Sequence, residues 1–227
     1  NAFISMAQKL DQCSIRSAAE ALGVHRADGK PLGTNPSAVL GTNEIAPLTM
    51  AAAFAGIANK GVYCTPIAID SMTDASGAPV TVPQSTCNQS VAPNIAATMA
   101  YAMKTVVTGG TATLSSPGDG IQLIGKTGTT DSEIHTWMVG SSTKVATAVW
   151  VGNVEGFVSI RNSRINGVAG GDIRHHIFRN YMRLANEKYG GDSFPPPDDK
   201  LLSAPSVGIP NLVGSTMSNA ESTLTNL

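Results

Sequence analysis

Gly120-Ile121-Gln122-Leu123-Ile124-Gly125-Lys126-Thr127-Gly128-Thr129-Thr130 is the stretch whose reading decides the fold. Letter for letter it satisfies G-x-x-x-x-G-K-[ST], the phosphate-binding loop of nucleotide-binding proteins. Its chemistry argues otherwise. A phosphate loop must be a flexible turn whose amides curl around an anion, yet Ile121, Gln122, Leu123 and Ile124 are strand formers. Such a loop must also feed a helix, whereas Gly128, Thr129 and Thr130 are poor helix formers. The stretch is therefore expected as a β-strand over 121–126 carrying Lys126 near its end, and the nucleotide reading is set aside.

Two more segments of strand character follow at 136–141 and 145–151. The second alternates Val145, Thr147, Val149 and Val151 with small or aromatic residues. Ser142-Thr143-Lys144 between them is short enough for a hairpin. All three are expected to lie side by side as antiparallel strands covered by helices.

Helical spacing dominates upstream. Phe3, Met6, Ala7 and Leu10 share one face, and Ile15–Leu22 reads as a second helix, capped by Ser14 and stopped by Gly23. Residues 26–43 are rich in Gly, Pro, Asn and Ser and read as loop. Pro47 opens an alanine-rich helix with Met50, Phe54 and Ile57 on its stripe, ended by Gly61. Val62–Met72 reads as a strand broken by Pro66, followed by a turn at 74–77. Pro93 opens a helix through Ile95, Met99, Met103 and Val106, closed by Gly109-Gly110. Asp172 is expected to cap a last helix with Ile173, Ile177, Phe178, Tyr181 and Met182 on its apolar side. Helices followed by a run of antiparallel strands define an α+β domain.

Composition narrows the function classes. Among 227 residues, 42% are hydrophobic and 14% charged, with a net charge of −1. The charged share is well below the globular mean of about 25%, so Ser, Thr, Asn and Gln must supply much of the polar surface, as suits an extracytoplasmic protein. No basic field exists to hold nucleic acid. No apolar run approaches the roughly 20 residues that span a bilayer, and Asn1–Met6 has no basic region of a leader peptide. Cys64 and Cys87 flank a turn-rich stretch and are able to pair in an oxidising compartment, while three buried thiols, with Cys13, fit equally well.

Gly190-Gly191 and Pro195-Pro196-Pro197-Asp198-Asp199 mark a boundary. The expected division is a domain at 1–188, a linker at 189–205 and a small strand-turn-helix piece at 206–227. In that piece Asn211–Gly214 form the turn, Met217, Ala220 and Leu224 share a face, and Ser218 with Glu221 has capping-box spacing.

The motif Gly125–Thr130, with Trp137-Met138-Val139-Gly140 and Thr147-Ala148-Val149-Trp150-Val151-Gly152, resembles the class A, bifunctional penicillin-binding proteins. Leu40–Ala51, Gly61-Val62-Tyr63, Val106-Val107 and Gly110-Thr111-Ala112 extend that resemblance over residues 1 to 188. It implies the α+β transpeptidase fold shared with serine β-lactamases, and D,D-transpeptidase chemistry through a serine ester. It further implies that Lys126 supplies positive charge beside the nucleophile and that the Thr127 hydroxyl binds a substrate carboxylate. Gly128 would let substrate approach, and the Thr129 amide would face the oxyanion. Lys126 and Thr129 are thus the candidate catalytic residues, and Lys126, Thr127, Gly128 and Thr129 the candidate substrate-binding residues.

No cofactor or metal is implied. The implied partners are peptidoglycan stem peptides, β-lactams and an upstream half of the domain, with membrane contact only through regions N-terminal to this chain. The family's serine-x-x-lysine and serine-x-asparagine motifs fall before Phe3, so the chain alone is expected to lack the nucleophile. Pro210-Asn211-Leu212-Val213-Gly214, Ala220 and Leu224 resemble the start of a PASTA module, a unit found in cell-wall proteins. A non-catalytic muropeptide-binding module, or a carboxypeptidase or β-lactamase of the same superfamily, are the alternatives. Thr130 is expected to close a turn, and Asp131 and Glu133 to border the cleft. His135 has no serine or acid partner in sight. His175 and His176 point about 100° apart on a helix and make a poor metal clamp. Trp137 and Trp150 are expected to pack.

Overall fold

The computed structural model describes residues 2–203 and 210–225. The N-terminal helices are α1 (Ala2–Ala7) and α2 (Gln12–Ala21). Asp11, not Ser14, caps α2: its carboxylate accepts from the amides of Cys13 and Ser14, and the Ser14 hydroxyl donates to it as well. A carboxylate one turn earlier offers two acceptor oxygens, which outcompetes a hydroxyl for the orphan amides. Gly23 stops the helix as expected, at φ +77°. The loop at 26–43 contains one 3-10 turn at Pro36–Leu40, and Arg26 ties it down by ion pairs to Asp28 and Glu44.

Helix α3 (Pro47–Ala58) buries Ala53, Phe54 and Ile57. The strand expected over 62–72 is only β1 (Val62–Cys64). Beyond it, β2 (Met72–Thr73) and β3 (Pro79–Val80) form a small hairpin around the turn at 74–77, and β4 (Cys87–Gln89) returns to pair with β1. That register sets Cys64 opposite Cys87, and the two form a disulfide. Cys13 is free and exposed, so three buried thiols do not describe the chain.

Helix α4 (Pro93–Thr108) leads through a 3-10 turn at Thr113–Ser115 into the central sheet. The sheet is β5 (Ile124–Thr129), β6 (His135–Ser141) and β7 (Ala146–Gly152), antiparallel in the order β5-β6-β7. The strand expected over 121–126 is therefore displaced three residues toward the C-terminus. Asp119 receives the Ile121 amide in a turn, which delays the ladder until Ile124. Gly125–Thr129 continue an antiparallel ladder rather than opening a helix, which removes the nucleotide-loop reading.

Short strands β8 (Arg164–Ile165) and β9 (Val168–Ala169) precede α5 (Gly170–Tyr189). Asp172 lies inside the first turn of α5, and Ala169 occupies the cap position. The buried stripe runs His175, Phe178, Met182, Ala185 and Asn186, whereas Ile177 and Tyr181 are half exposed. Of the apolar side expected from Ile173, Ile177, Phe178, Tyr181 and Met182, Phe178 and Met182 take the sheet contact and carry His175 inward, while Ile177 and Tyr181 turn outward.

Two clusters sandwich the sheet. Leu22, Ala53, Phe54, Ile57, Ala100, Ile124 and Val139 pack on one face. Val107, Ala112, Leu123, Met138, Val149, Phe178 and Met182 pack on the other. Trp137 packs against the first cluster. The alternation of Met138 and Val139 between clusters is the period-2 pattern of a strand buried on both faces.

Residues 190–203, expected within a linker, run along this body. Asp192 pairs with Lys144, the Phe194 amide donates to Gln122, and Asp198 accepts from Asn94. Asp198 also caps the short helix α6 (Asp199–Leu202). In the last piece the Val213 amide donates to Asn211 at the expected turn, and α7 (Met217–Thr225) follows. Thr216 rather than Ser218 sits at its start, accepting from the Ala220 amide with its carbonyl and from the Asn219 amide with its hydroxyl. The strand expected just before the turn lies outside the described residues.

Candidate functional site

The lysine-threonine-glycine stretch occupies an unpaired strand edge. Among the described residues β5 pairs only with β6. Its first half is covered: Ile124 is wholly buried, and a Cβ at Gly125 would lie 2.7 Å from Met138 and 3.1 Å from Val107 of α4. Past Gly125 the strand emerges, with Lys126 and Thr129 exposed and Thr127 and Gly128 half-buried.

Backbone directions follow from register. The Thr130 amide donates to the His135 carbonyl at 3.0 Å, which fixes the phase of the ladder. In an antiparallel pair alternate residues turn their N–H and C=O to the partner strand. Lys126 and Gly128 therefore turn theirs toward β6, while Thr127 and Thr129 turn theirs to the open edge. Lys126 Nζ donates to the Thr127 carbonyl at 2.8 Å, as that assignment requires. The Thr129 amide is thus a donor outside the ladder.

Side chains divide the other way. Lys126 shares the face of Ile124, and among the described residues it forms no ion pair. Gly128 follows on the same face, where its missing Cβ leaves room for Trp137 directly across the ladder. Thr127 and Thr129 face α5. The Thr127 hydroxyl shares a hydrogen bond with that of Thr111 at 2.8 Å. Arg174 of α5 donates through Nη1 to both the Gly128 carbonyl and the Thr129 hydroxyl, each at 3.0 Å.

Arg174, His175, Ser115 and Thr111 were not legible as site residues. Arg174 Nε donates to His175 Nε2 at 3.1 Å, and His175 Nδ1 lies 2.7 Å from the Ser115 hydroxyl. Ser115 and His175 are buried. Burial, and then the Arg174 charge, holds the His175 imidazole below its usual pKa. One signal was available: Phe178 and Met182 follow His175 at i+3 and i+7, which puts a polar ring on the buried stripe.

The other expected residues fall into place around the site. Thr130 closes the turn to β6, accepting the His135 amide on its hydroxyl at 3.0 Å. The turn continues as a 3-10 segment, Asp131–Glu133, with Ser132 and Glu133 at positive φ and Glu133 paired to Arg161. The His135 ring stacks obliquely on Trp150 at 5.6 Å. His176 turns away from His175 and meets Arg179. Ser141-x-x-Lys144 has the spacing of a nucleophile motif, but the buried Ser141 hydroxyl donates to the carbonyls of Ser142 and Val145, and Lys144 is paired to Asp192.

Two open depressions of about 290 and 300 Å³ flank the β6–β7 hairpin, touching Gly56, Asn59, Lys60, Thr143 and Asp192. Ser141 at that hairpin pairs with Ile124, the start of β5, so both lie at the far end of the sheet from Thr129. The motif presents an open edge, not an enclosed pocket.

An α+β body with a lysine-threonine-glycine strand at its open edge defines the class of serine acyl-transfer domains that react with penicillin. The family model of the penicillin-binding protein transpeptidase domain matches residues 2–183, and the chain belongs to that family. It is similar to penicillin-binding protein 1A of Aquifex aeolicus, 30% identical over 73% of this chain and 22% of that protein. Penicillin-binding protein 1A of Neisseria lactamica is 33% identical over 71% of this chain and 20% of that protein. The chain thus spans about a fifth of the length of these curated relatives. Among solved structures it resembles PonA1 of Mycobacterium tuberculosis in complex with penicillin V, with TM-score 0.74 and 26% identity over 86% of this chain and 56% of that one.

Proposed function

We propose that this chain is the lysine-threonine-glycine half of a D,D-transpeptidase that cross-links peptidoglycan stem peptides through a serine ester and is trapped by β-lactams. The observation that carries the reading is the open edge of β5, which carries an outward Thr129 amide and, among the described residues, a lysine without an ion-pair partner. An extended peptide can add to such an edge as a further strand. The Lys126 ammonium would then attract the substrate anion and favour proton removal from the serine. The Thr129 amide would donate to the oxyanion as the tetrahedral intermediate forms. The Thr127 hydroxyl, beside Thr111, would donate to the peptide carboxylate, and Gly128 would keep the approach clear.

The nucleophilic serine and its lysine would come from the upstream half of the domain. No Ser-x-x-Lys precedes Lys126 in this sequence, and the chain alone is predicted to be inert. The disulfide between Cys64 and Cys87 supports a site of action outside the cytoplasm, where such bonds persist. Among the described residues no helix is long and apolar enough to cross a membrane, so anchoring would fall to the upstream part. The turn at Asn211–Gly214 and α7 would begin a PASTA-like module.

The test is the intact mass of the complete parent and of this chain after incubation with a labelled penicillin. The parent should gain one penicilloyl group and the isolated chain none. A parent that stays unmodified, or an adduct on any serine of this chain, would refute the reading.

A further inference from the structure

Arg174 is a half-buried guanidinium that forms no ion pair among the described residues. Desolvating a cation is costly unless something compensates it. Its contacts are with neutral acceptors only: the Gly128 carbonyl, the Thr129 hydroxyl and His175 Nε2. Asp172 and Glu133 act on it only at longer range.

The hydrogen-bond directions in this chain of groups are fixed by chemistry. A guanidinium can only donate. His175 Nε2 therefore accepts, so the ring is neutral with its proton on Nδ1. That proton goes to Ser115 Oγ, which is buried and 2.7 Å away. The same rule makes Thr129 Oγ1 an acceptor toward Arg174. With its lone pair so engaged, the Thr129 hydroxyl keeps its own proton for a partner on the exposed side, beside the open edge of β5. A cation without an ion-pair partner among the described residues, bonded to a threonine hydroxyl beside the open edge of the strand, suits an anion there.

We propose that Arg174, buttressed by His175 and Ser115, is a positioning residue for the substrate carboxylate. It orients the Thr129 hydroxyl as a donor to that carboxylate and lends its charge to the same side of the cleft. Lys126 stands on the opposite face of the strand, so the site has two cations with separate tasks. Lys126 serves the reacting centre, and Arg174 recognises the anion. This inference rests on the acyl-transfer reading above.

The experiment compares acylation of the complete parent by benzylpenicillin, which carries a carboxylate, with acylation by its neutral methyl ester. Arg174→Ala should slow the acid by about 10- to 30-fold, as befits one charge-assisted hydrogen bond, and the ester by less than about 3-fold. Arg174→Lys should recover part of the loss, since an ammonium restores charge without the planar fork. In a Thr129→Ala background, Arg174→Ala should cost the acid distinctly less than in the parent, because the two act through one contact. Equal losses for acid and ester in folded Arg174→Ala, or full additivity with Thr129→Ala, would overturn the proposal. Should Arg174→Ala not fold, Arg174→Lys carries the same test, with a smaller loss confined to the acid. A parent that neither penicillin acylates would instead refute the acyl-transfer reading, and this inference with it.

Discussion

The two faces of β5 beyond Gly125 are unequal. On the α5 face every polar group has a partner within the chain: Thr127 meets Thr111, Thr129 meets Arg174, and Arg174 leans on His175 and Ser115. On the other face Lys126, among the described residues, reaches only the carbonyl of its own neighbour. The difference shows which parts of the strand's surroundings are already tied within the chain and which are open. The threonine side is preorganised by its own helix and 3-10 turn. On the proposed reading, a nucleophile and a substrate would complete the lysine side.

Removing Lys126 should therefore separate rate from stability most sharply. In the parent, Lys126→Ala is expected to slow penicillin acylation by about 10²-fold or more, the usual cost of one charge lost from a transition state. Its melting temperature should hardly move, because the side chain is exposed and supports nothing else. Second-order acylation rates beside thermal melts would show both, and a large drop in melting temperature would erase the contrast between faces.

The disulfide supplies the opposite case. Cys64→Ser should cost about 2–4 kcal/mol of stability by releasing the 23-residue loop between β1 and β4. Acylation below the new melting temperature should match the parent, since β1 packs on α3 and Cys64 lies beside the β6–β7 hairpin, at the end of the sheet away from Thr129. Chemical denaturation and acylation rates, measured together, test it.

His175→Ala should cost about 1–3 kcal/mol, because it leaves the Ser115 hydroxyl buried without its imidazole partner. Acid should mimic part of this loss. The folded protein holds His175 below its usual pKa, so the unfolded chain takes up the proton first. The stabilisation is therefore complete above about pH 6.5 and is lost as pH falls through the folded pKa. Comparing the pH dependence of unfolding in the parent and in His175→Ala isolates this step, and an unchanged acid limb would show that His175 does not titrate.

Thr127→Ala is expected to be the mildest change, about 1 kcal/mol or under tenfold in acylation rate, since one neutral hydroxyl is lost. A defect beyond that of Lys126→Ala would invert the comparison.

Much of this arrangement was legible beforehand. The three-strand ladder followed from alternation at 145–151 and a short link at 142–144, and the motif strand from its branched residues. The start of β5 was misjudged because Asp119 holds the Ile121 amide in a turn, a side-chain contact that periodicity does not register. Phe178 and Met182 were legible on the buried face of α5, but Ile177 and Tyr181, largely apolar as well, turn outward. Only the geometry of the sheet chooses between them, and the same choice hid Arg174. Thr129 was legible for its amide, while its hydroxyl acquires a role only from a helix 45 residues further along.

The most direct test of the central claim is the structure of the parent after reaction with penicillin. The account predicts that the ester carbonyl oxygen accepts a hydrogen bond from the Thr129 amide on the open edge of β5. Lys126 should lie beside the acylated serine, and the drug's carboxylate should lie on the Thr127–Thr129 face. An adduct whose carbonyl points away from β5, or one seated at the β6–β7 hairpin, would contradict it.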